Sequence, residues 1–294
     1  MCVESGLGNV SQACRAMELN RSFYDKLSQE CSRSKELRQL IIKLSEAQPR
    51  YGYRRIAALL RRLGHDVNPK RVQCIRRREG LRMLNRQRKT RRVNPHTPER
   101  KRATEPNEVW SWDFVHDMTE QGNRFRVLSL IDEYTRRCLM LRADWSMRAQ
   151  EVISILEEAL AIHGTPKYIR SDNGPEFISY AIQDWLQERN IGTLYIKPGS
   201  PWEQAYIESF HDKLRDECTN RELFGSLREA NTILESWQKE YNEGRPHSSL
   251  GYLTPNEFTD RNNPQLRSDS VLPPLGVAFE KRNIKQIPIT ELDL

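Results

Sequence analysis

The apolar residues of the first eighty positions recur at helical spacing. Residues 34–47 carry leucine and isoleucine at intervals of three and four, which predicts an amphipathic helix that ends before Pro49. Residues 9–28 predict two shorter helices joined by a tight turn, with Ser11 and Asn20 as their N-terminal caps. The start of the chain is therefore expected to contain three separate helices, with a break between the first two and a segment boundary before the third.

Residues 53–80 predict a further helical pair with a basic outer face. Gly64 fits the C-terminal cap of the first helix, and Asn68 with Pro69 fits the start of the second. On the second helix, Val72 and Ile75 are expected to face inward, whereas the basic residues stay outside. A cationic second helix after a short turn is typical of DNA recognition, and the alternative is a helical spacer with a solvated surface. The apolar face of the first helix comprises Ile56, Ala57, Leu59, Leu60 and Leu63, and the outward basic residues of the second are Lys70, Arg71, Arg76, Arg77 and Arg78.

The pattern changes to strands and alternating helices after residue 106. Three runs predict consecutive strands separated by turn-forming residues: EVWSWDFVHD, RFRVLSLIDEYTR and CLMLRADW. Helices over residues 147–163, 179–190 and 202–218 then alternate with two short strands, KYIRSD and GTLYIKP. Three meandering strands followed by helix–strand alternation predict an α/β domain with a mixed sheet of five strands.

These patterns divide the chain into six segments. Residues 85–106 contain three prolines and almost no apolar side chains, so they are expected to form an extended linker between the helical part and the α/β part. The predicted segments are a helical segment 1–32, a helix-turn-helix module 33–84, the linker 85–106, the α/β core 107–220, a helical extension of the core 221–262 and an irregular tail 263–294.

Charge separates the same two parts of the chain. The formal net charge of the whole chain is +7, yet residues 50–102 contain 19 Lys and Arg against 3 Asp and Glu, so the remainder has an excess of acid. A basic block of this kind raises the local concentration of a polyanion, and nucleic acid is the obvious candidate. The alternative is a solvated basic face or a disordered tail.

Several classes of protein are excluded by what the sequence lacks. No apolar run approaches the roughly 18–20 residues of a membrane span, and the N-terminal residues do not have the pattern of a signal peptide. Six dispersed cysteines, without a C-x-x-C pair, favour reduced thiols. A cytoplasmic protein with no membrane partner is therefore expected.

Three acidic residues of the α/β part are candidates for chemistry. Asp113 lies within the first apolar strand, where a carboxylate is costly to bury unless it is paired or bound to metal. Asp172 follows a strand and precedes a sharp turn, at the strand end where α/β domains collect ligands. Glu208 lies among apolar residues on a helix and is expected at its sheet-facing edge. Carboxylates from these three elements can converge on one point. Oxygen ligands favour Mg²⁺ or Mn²⁺, and a pair of such ions can promote displacement at a phosphodiester.

Each of these acids has an alternative interpretation. Asp172 could be the first residue of an Asx turn, and Glu208 could be a surface residue of its helix. Asp117 lies four residues after Asp113 on the same face of the strand, so it competes for the role of first acid. Asp132, at the end of the second strand, is interpreted as a turn or structural residue. An i, i+4 pair, which would indicate zinc, does not occur among His116, His163 and His211.

The spacing and the flanks of these acids resemble a known catalytic core. Thirty-five residues separate Asp172 from Glu208, within SDNGPEF and PGSPWEQAYIESFHDKLRDE, as in the D,D(35)E core of retroviral integrases and related bacterial transposases. Asp113 in WSWDFVHD resembles the first acid, and Arg215 matches the basic residue seven positions after the glutamate. The stretch YNEGRPHSSLGYLTPNEF resembles the closing signature of the family, and residues 35–84 resemble the helix-turn-helix module of transposases of the insertion-sequence-three class.

This resemblance implies an RNase H-like α/β catalytic domain preceded by all-α helix-turn-helix modules. It implies a transposase that cleaves DNA strands at element ends and transfers them to target DNA, with Asp113, Asp172 and Glu208 as catalytic residues and ligands of two Mg²⁺ or Mn²⁺ ions. The chain would be the second-frame product of a bacterial insertion sequence. It would act at the nucleoid as a homo-oligomer on double-stranded DNA, either bound to the first-frame product or fused to it. Asn173 and Gly174 would shape the turn after the second acid. The expected DNA contacts are Lys70, Arg71, Arg76, Arg77, Arg78, Arg88, Arg91, Arg92 and Arg215.

Two other functions stay open at this point. A DNA-binding protein or repressor could retain an inactive core, although the intact set of three acids argues against it. A nuclease of RNase H type could cleave without strand transfer, although the helix-turn-helix module and the basic linker favour DNA ends as the substrate.

Overall fold

The computed structural model describes residues 10–18, 20–81, 83, 102–172, 174, 179–196 and 204–262. These residues fall into two compact units, one before residue 88 and one after it. Among the helices of the described ranges, none combines the length and the apolar character that a membrane crossing requires.

The first unit begins with a short helix, α1 (Val10–Ala16), and a long one, α2 (Arg21–Ala47). Asn20 caps α2, because its side-chain oxygen accepts a hydrogen bond from a backbone N–H of the first turn at 2.9 Å. The predicted break before Asn20 is confirmed, whereas the predicted separation of the second short helix from the helix over residues 34–47 is wrong. α2 continues through 27 residues, since the polar stretch between its apolar parts contains neither glycine nor proline. The boundary predicted between segments 1–32 and 33–84 therefore falls inside one helix.

Two short helices, α3 (Tyr53–Arg62) and α4 (Pro69–Arg78), complete the described part of this unit. The predicted helix ends between them are confirmed. Gly64 has the positive φ, +83°, that suits a helix C-terminus, and the side chain of Asn68 caps the N-terminus of α4. Leu63 was predicted on the apolar face, but it follows the last residue of α3 and is exposed. Apolar side chains of α2, α3 and α4 form the core together with Tyr51, which lies between α2 and α3. The most deeply buried of them are Ile41, Tyr51, Ile56, Ala57, Leu60 and Val72.

The second unit is built on a mixed sheet of five strands, β1 (Val109–Met118), β2 (Arg124–Asp132), β3 (Cys138–Asp144), β4 (Tyr168–Ser171) and β5 (Gly192–Tyr195). The first three strands pair antiparallel in a meander, and β4 and β5 run parallel to β1. The resulting order is β3-β2-β1-β4-β5. The mixed five-stranded sheet predicted from the sequence is confirmed.

Helices cover both faces of this sheet, so the unit has three layers. The helices are α5 (Ala149–His163), α6 (Tyr180–Glu188), α7 (Ala205–Leu214), a π-helical turn (Arg215–Thr219), α8 (Leu227–Glu243), a 3₁₀ turn (Ser248–Leu250) and α9 (Pro255–Asn262). Apolar residues of α5 and α6 pack on one face, and those of α7 and α8 pack on the other.

Strand alternation decides which layer each residue of β1 faces. Trp110, Trp112 and Phe114 belong to the core on the α5–α6 side, whereas Val115 belongs to the core on the α7–α8 side. Asp113 has the same parity as Val115, so it points toward the layer that contains α7.

Asp132 stabilises the turn that follows β2. Its carboxylate accepts hydrogen bonds from the backbone N–H groups of Asn107, Tyr134 and Thr135, at 2.8, 2.7 and 3.1 Å. The interpretation of Asp132 as a turn residue is confirmed, and burial raises its pKa.

Candidate active site

The first candidate acid, Asp113, lies in the middle of β1 with its side chain 22% exposed. Its Oδ1 accepts a hydrogen bond from the Phe114 N–H at 2.8 Å. Its backbone carbonyl accepts a second one from the hydroxyl of Ser129, its cross-strand partner in β2, at 2.9 Å. The carboxylate is therefore held close to a regular strand and still reaches solvent.

The second candidate acid, Asp172, is half-buried and follows β4 directly. The parallel register pairs Ser111 of β1 with Arg170 of β4, and Asp113 and Asp172 each follow this pair by two residues. The Gly174 N–H donates a hydrogen bond to Oδ1 of Asp172 at 2.9 Å, which is the Asx turn considered from the sequence. Asn173, also predicted in this turn, lies outside the described residues.

The third candidate acid, Glu208, lies in the first turn of α7 and is exposed. Its neighbour Ile207 is completely buried, and Phe210 and Leu214 follow on the same inward face of the helix. Glu208 therefore sits at the border between the buried face of α7 and solvent, where its carboxylate can face a ligand.

The charges of the other two acids reach Asp113. Burial is the main cause that raises the pKa of Asp113 to about 6, and the negative charges of Asp172 and Glu208 raise it further. The hydrogen bond from Phe114 and the charge of Arg215 act in the opposite direction. Asp113 thus lies within electrostatic range of Asp172, Glu208 and Arg215.

The chemistry of this donor set suits a hard divalent cation. Carboxylate oxygens are the ligands that Mg²⁺ and Mn²⁺ prefer, and a bound cation relieves the repulsion between them. Within the part of the chain that the structure describes, no three Asp, Glu, His or Cys side chains already form a group able to hold a metal ion. The three acids therefore share an electrostatic environment without forming a ready-made metal cage.

Asp117, the competing first acid, lies in a different environment. Its Oδ1 accepts a hydrogen bond from the Met118 N–H at 2.8 Å. Its charge acts on a different residue, Cys218. The pKa of the Cys218 thiol is raised to about 12, mainly by burial and then by the charges of Glu222 and Asp117. Asp117 thus lies near the π-helical turn, and it is absent from the charges that act on Asp113. This arrangement favours Asp113 as the first acid.

Sequence reasoning considered His211 only as a zinc ligand and so missed its contacts in the site. This buried residue of α7 has its Nδ1 3.7 Å from Oδ2 of Asp113 and its Nε2 2.6 Å from Oγ of Ser129. Burial, and then the charge of Arg215, lowers the pKa of His211 to about 3, so the imidazole is neutral at pH 7. The available signal was its position three residues after Glu208 on the same helix.

A buried ion pair links the two strands that carry the first two acids. Glu133 follows β2 and is completely enclosed, and its Oε1 accepts a hydrogen bond from Nε of Arg170 at 2.9 Å. The same oxygen accepts a hydrogen bond from the hydroxyl of Ser111 in β1. Ser111 and Arg170 lie two residues before Asp113 and Asp172, respectively, so this cluster fixes the register of the strands behind the acids.

Arg245, from the closing signature YNEGRPHSSLGYLTPNEF, stabilises the turn that follows α7. Arg215 is exposed and begins the π-helical turn. Within that turn, both carboxylate oxygens of Glu217 accept hydrogen bonds from the Arg245 guanidinium, at 2.7 and 2.6 Å, and both side chains are buried. Because π-helical turns often occur at functional sites, this pair is a second structural support of the site that the sequence did not reveal.

The outer face of α4 presents its predicted cations with one exception. The prediction that Arg76 stays outside is wrong, because its side chain is buried and its Nη1 donates a hydrogen bond to the Tyr51 carbonyl at 2.7 Å. Arg76 lies four residues after the buried Val72, on the inward stripe of the helix. The exposed cations of α4 are Lys70, Arg71, Arg77 and Arg78. The predicted contacts of the linker, Arg88, Arg91 and Arg92, lie outside the described residues.

Comparisons with known proteins agree with this geometry. Two family models described as "Integrase core domain" match residues 103–201 and 189–255, and one described as "HTH-like domain" matches residues 32–89. The chain is 36% identical over 252 residues to the insertion element IS407 uncharacterized 31.7 kDa protein of Burkholderia multivorans, covering 85% of this chain and 91% of that one. It is 26% identical over 278 residues to the transposase InsF for insertion sequence IS3A of Escherichia coli, covering 86% and 95%.

A solved structure gives a more distant likeness. The HTLV-2 integrase catalytic core domain, determined in complex with magnesium, matches with 18% identity and a TM-score of 0.41, covering 54% of this chain and 99% of that one. The predicted integrase-type core, the helix-turn-helix part and the function of DNA strand cleavage and strand transfer are confirmed, and the repressor and simple-nuclease alternatives are set aside. The chain belongs to the DDE transposases of the IS3 class of insertion sequences.

Proposed function

We propose that Asp113, Asp172 and Glu208 are the catalytic carboxylates of this transposase and that they hold two divalent ions, Mg²⁺ or Mn²⁺. One observation carries the proposal: the pKa of Asp113 is raised in part by the charges of Asp172 and Glu208, which come from two other elements. The β1–β4 register supports the same assignment, because Asp113 and Asp172 each lie two residues after the paired Ser111 and Arg170.

The chemistry divides between the ions and the residues of the chain. Two ions held by the three carboxylates would activate a water or 3′-hydroxyl and would stabilise the leaving oxygen of the phosphodiester. Asp113, with a pKa of about 6, is ionised at neutral pH and offers an anionic oxygen to such an ion. Arg215 acts electrostatically on Asp113 and is exposed, so its guanidinium is placed to bind a phosphate of the reacting strand.

The exposed cations of the first unit are assigned to DNA binding. Lys70, Arg71, Arg77 and Arg78 line the outer face of α4 and would contact phosphates or base edges of the element end, as the second helix of a helix-turn-helix does. The linker residues Arg88, Arg91 and Arg92 would extend this contact along the backbone. Arg76 is left out of the DNA-contacting set, because its guanidinium already binds Tyr51 within the fold.

The active assembly is proposed to contain more than one copy of the chain. Transposition joins two element ends to one target, and one set of three acids serves one end at a time. A homo-oligomer on DNA, with the first-frame product bound or fused, meets that requirement and would act where the chromosome lies, at the nucleoid. Mass determination of the protein with and without an end duplex tests this: a single copy per pair of ends would refute it.

The test of the catalytic assignment is substitution of each acid. Asp113→Asn, Asp172→Asn and Glu208→Gln should each reduce strand cleavage by at least about a thousandfold, since several kcal/mol of transition-state stabilisation are lost. DNA binding should persist in all three, because the exposed cations are unchanged. Asp117→Asn is the matched control and should retain cleavage. An active Asp113→Asn together with an inactive Asp117→Asn would show that the first acid is misassigned.

A further inference from the structure

A buried histidine connects the first acid to the helix that carries the third. His211 follows Glu208 by three residues, so the two side chains lie on neighbouring positions of α7. Its Nδ1 lies 3.7 Å from Oδ2 of Asp113, and its Nε2 lies 2.6 Å from the Ser129 hydroxyl. Ser129 also bonds to the backbone carbonyl of Asp113. Three elements, β1, β2 and α7, therefore meet at this imidazole.

The polarity of this side chain is not needed for packing. Ile207, Phe210 and Leu214 fill the space between α7 and the sheet with apolar groups alone. A buried imidazole brings two polar nitrogens, whose burial costs free energy unless each has a polar neighbour. In His211 one nitrogen faces Ser129 and the other faces Asp113. The ring thus contributes one hydrogen bond, to Ser129, and places its second nitrogen beside Asp113.

The distance to Asp113 is longer than a hydrogen bond. At 3.7 Å, Nδ1 of His211 stands beside Oδ2 and limits how the carboxylate can rotate. The one hydroxyl proton of Ser129 is donated to the Asp113 carbonyl, so Nε2–H of the neutral imidazole donates to Ser129 and Nδ1 presents a lone pair to Oδ2. Ser129 fixes the ring from the other side, so the nitrogen that faces Asp113 cannot turn away without breaking the 2.6 Å contact.

We infer that His211 is a positioning residue of the strand-transfer site: anchored by Ser129, it orients the carboxylate of Asp113 and sets its separation from Glu208. The inference rests on the proposed role of Asp113 as the first catalytic carboxylate. His211 and Ser129 together would orient the Asp113 carboxylate oxygen that holds the metal, which the packing of α7 alone does not do.

Asparagine and glutamine separate the two contacts of the ring. The amide of asparagine takes the position of Nδ1, which faces Asp113, whereas the amide of glutamine reaches the position of Nε2, which faces Ser129. His211→Asn, His211→Gln and His211→Phe, each made in the 294-residue chain, are compared with the unsubstituted chain in single-turnover cleavage of a duplex taken from the DNA that flanks the gene, across Mn²⁺ concentrations. Binding of Mn²⁺ alone to the metal-free protein is measured by calorimetry, and thermal unfolding is recorded for each variant.

We expect His211→Asn to stay close to the unsubstituted chain. His211→Gln and His211→Phe should weaken Mn²⁺ binding and the maximal cleavage rate by about 10- to 100-fold, the cost typical of losing a group that orients a metal ligand. Restoration by glutamine and not by asparagine would overturn the inference, because only the Ser129 contact would then matter. Losses that simply follow the unfolding temperature would overturn it as well.

Asp113→Asn is assayed in parallel to separate this inference from the proposed function. If Asp113→Asn still cleaves, the catalytic assignment itself is wrong. If Asp113→Asn is inactive while His211→Phe binds Mn²⁺ and cleaves normally, the catalytic assignment stands and the positioning role of His211 is refuted.

Discussion

The two units of this transposase place their charges in opposite ways. In the first unit, α4 exposes four of its five cations, and only Arg76 turns inward. In the second unit, charges near the site are buried in pairs, Glu133 with Arg170 and Glu217 with Arg245. Exposed cations are available to a polyanion and are screened by salt, whereas a buried pair has one geometry. The exposed cations of the first unit therefore indicate what the chain binds, and the buried ion pairs of the second unit indicate where side-chain geometry is fixed.

The largest effect on stability is expected from breaking a buried pair. Arg245→Met removes the two hydrogen bonds to Glu217, so we expect the free energy of unfolding to fall by about 3–5 kcal/mol. Adding Glu217→Leu should recover most of that loss, because no charge of the pair then stays buried. Urea unfolding followed by tryptophan fluorescence measures this in the second unit alone, since all six tryptophans lie between residues 110 and 237.

An exposed pair in the first unit is the matched control. Arg38 lies 2.6 Å from Glu79, with the arginine side chain 59% exposed. Arg38→Ala should cost less than about 1 kcal/mol, measured by circular dichroism of the helices. Equal costs for the exposed and the buried pair would show that the contrast between the units is wrong.

A smaller effect is expected when the charge of Asp113 is removed from the metal-free protein. Its folded pKa of about 6 lies above the ordinary value, so ionisation destabilises the fold: the penalty is absent below about pH 4 and complete above pH 6. Asp113→Asn should therefore increase the free energy of unfolding by on the order of 1–3 kcal/mol at pH 7.5. Near pH 4 the variant and the unsubstituted chain should be equally stable. A variant that is less stable at pH 7.5 would contradict this account of the site.

The smallest effects separate two adjacent arginines of α4. Arg77→Ala should reduce the slope of log affinity against log salt by about one unit, as expected for one lost phosphate contact, and leave stability unchanged. Arg76→Ala should leave that slope unchanged and lower stability by about 1–3 kcal/mol, because the Tyr51 carbonyl loses its donor. Salt titration of binding to an end duplex, together with thermal unfolding, compares the two. Exchanged effects would mean that the orientation of α4 is wrong.

Local sequence signals were sufficient for most of the fold. The cap at Asn68, the positive φ at Gly64 and the change to strand alternation after residue 106 depend on neighbouring residues only. The three acids were found because their spacing and flanks resemble a known core. Whether they share one site depends on the register of β1 with β4. The alternation of helices and strands predicts that such a pairing exists, but it does not predict which residues are paired.

Contacts between distant elements could not be predicted in the same way. His211 meets Ser129 and Asp113 only once α7 packs on the sheet, and Arg245 meets Glu217 only once α8 returns past the π-helical turn. Helical periodicity alone places Arg76 on the same stripe as Val72, but its charge favoured an exposed position. The error there came from giving charge more weight than spacing, because a long guanidinium side chain can bind a carbonyl inside the fold.

The most direct test of the central claim is the pKa of Asp113 in the metal-free protein, measured by carboxyl NMR in the unsubstituted chain, in Asp172→Asn and in Glu208→Gln. If the three carboxylates share one site, removing either neighbouring charge lowers the pKa of Asp113 below its value in the unsubstituted chain, since both charges raise it. A pKa that is unchanged in both variants would show that the three acids do not converge.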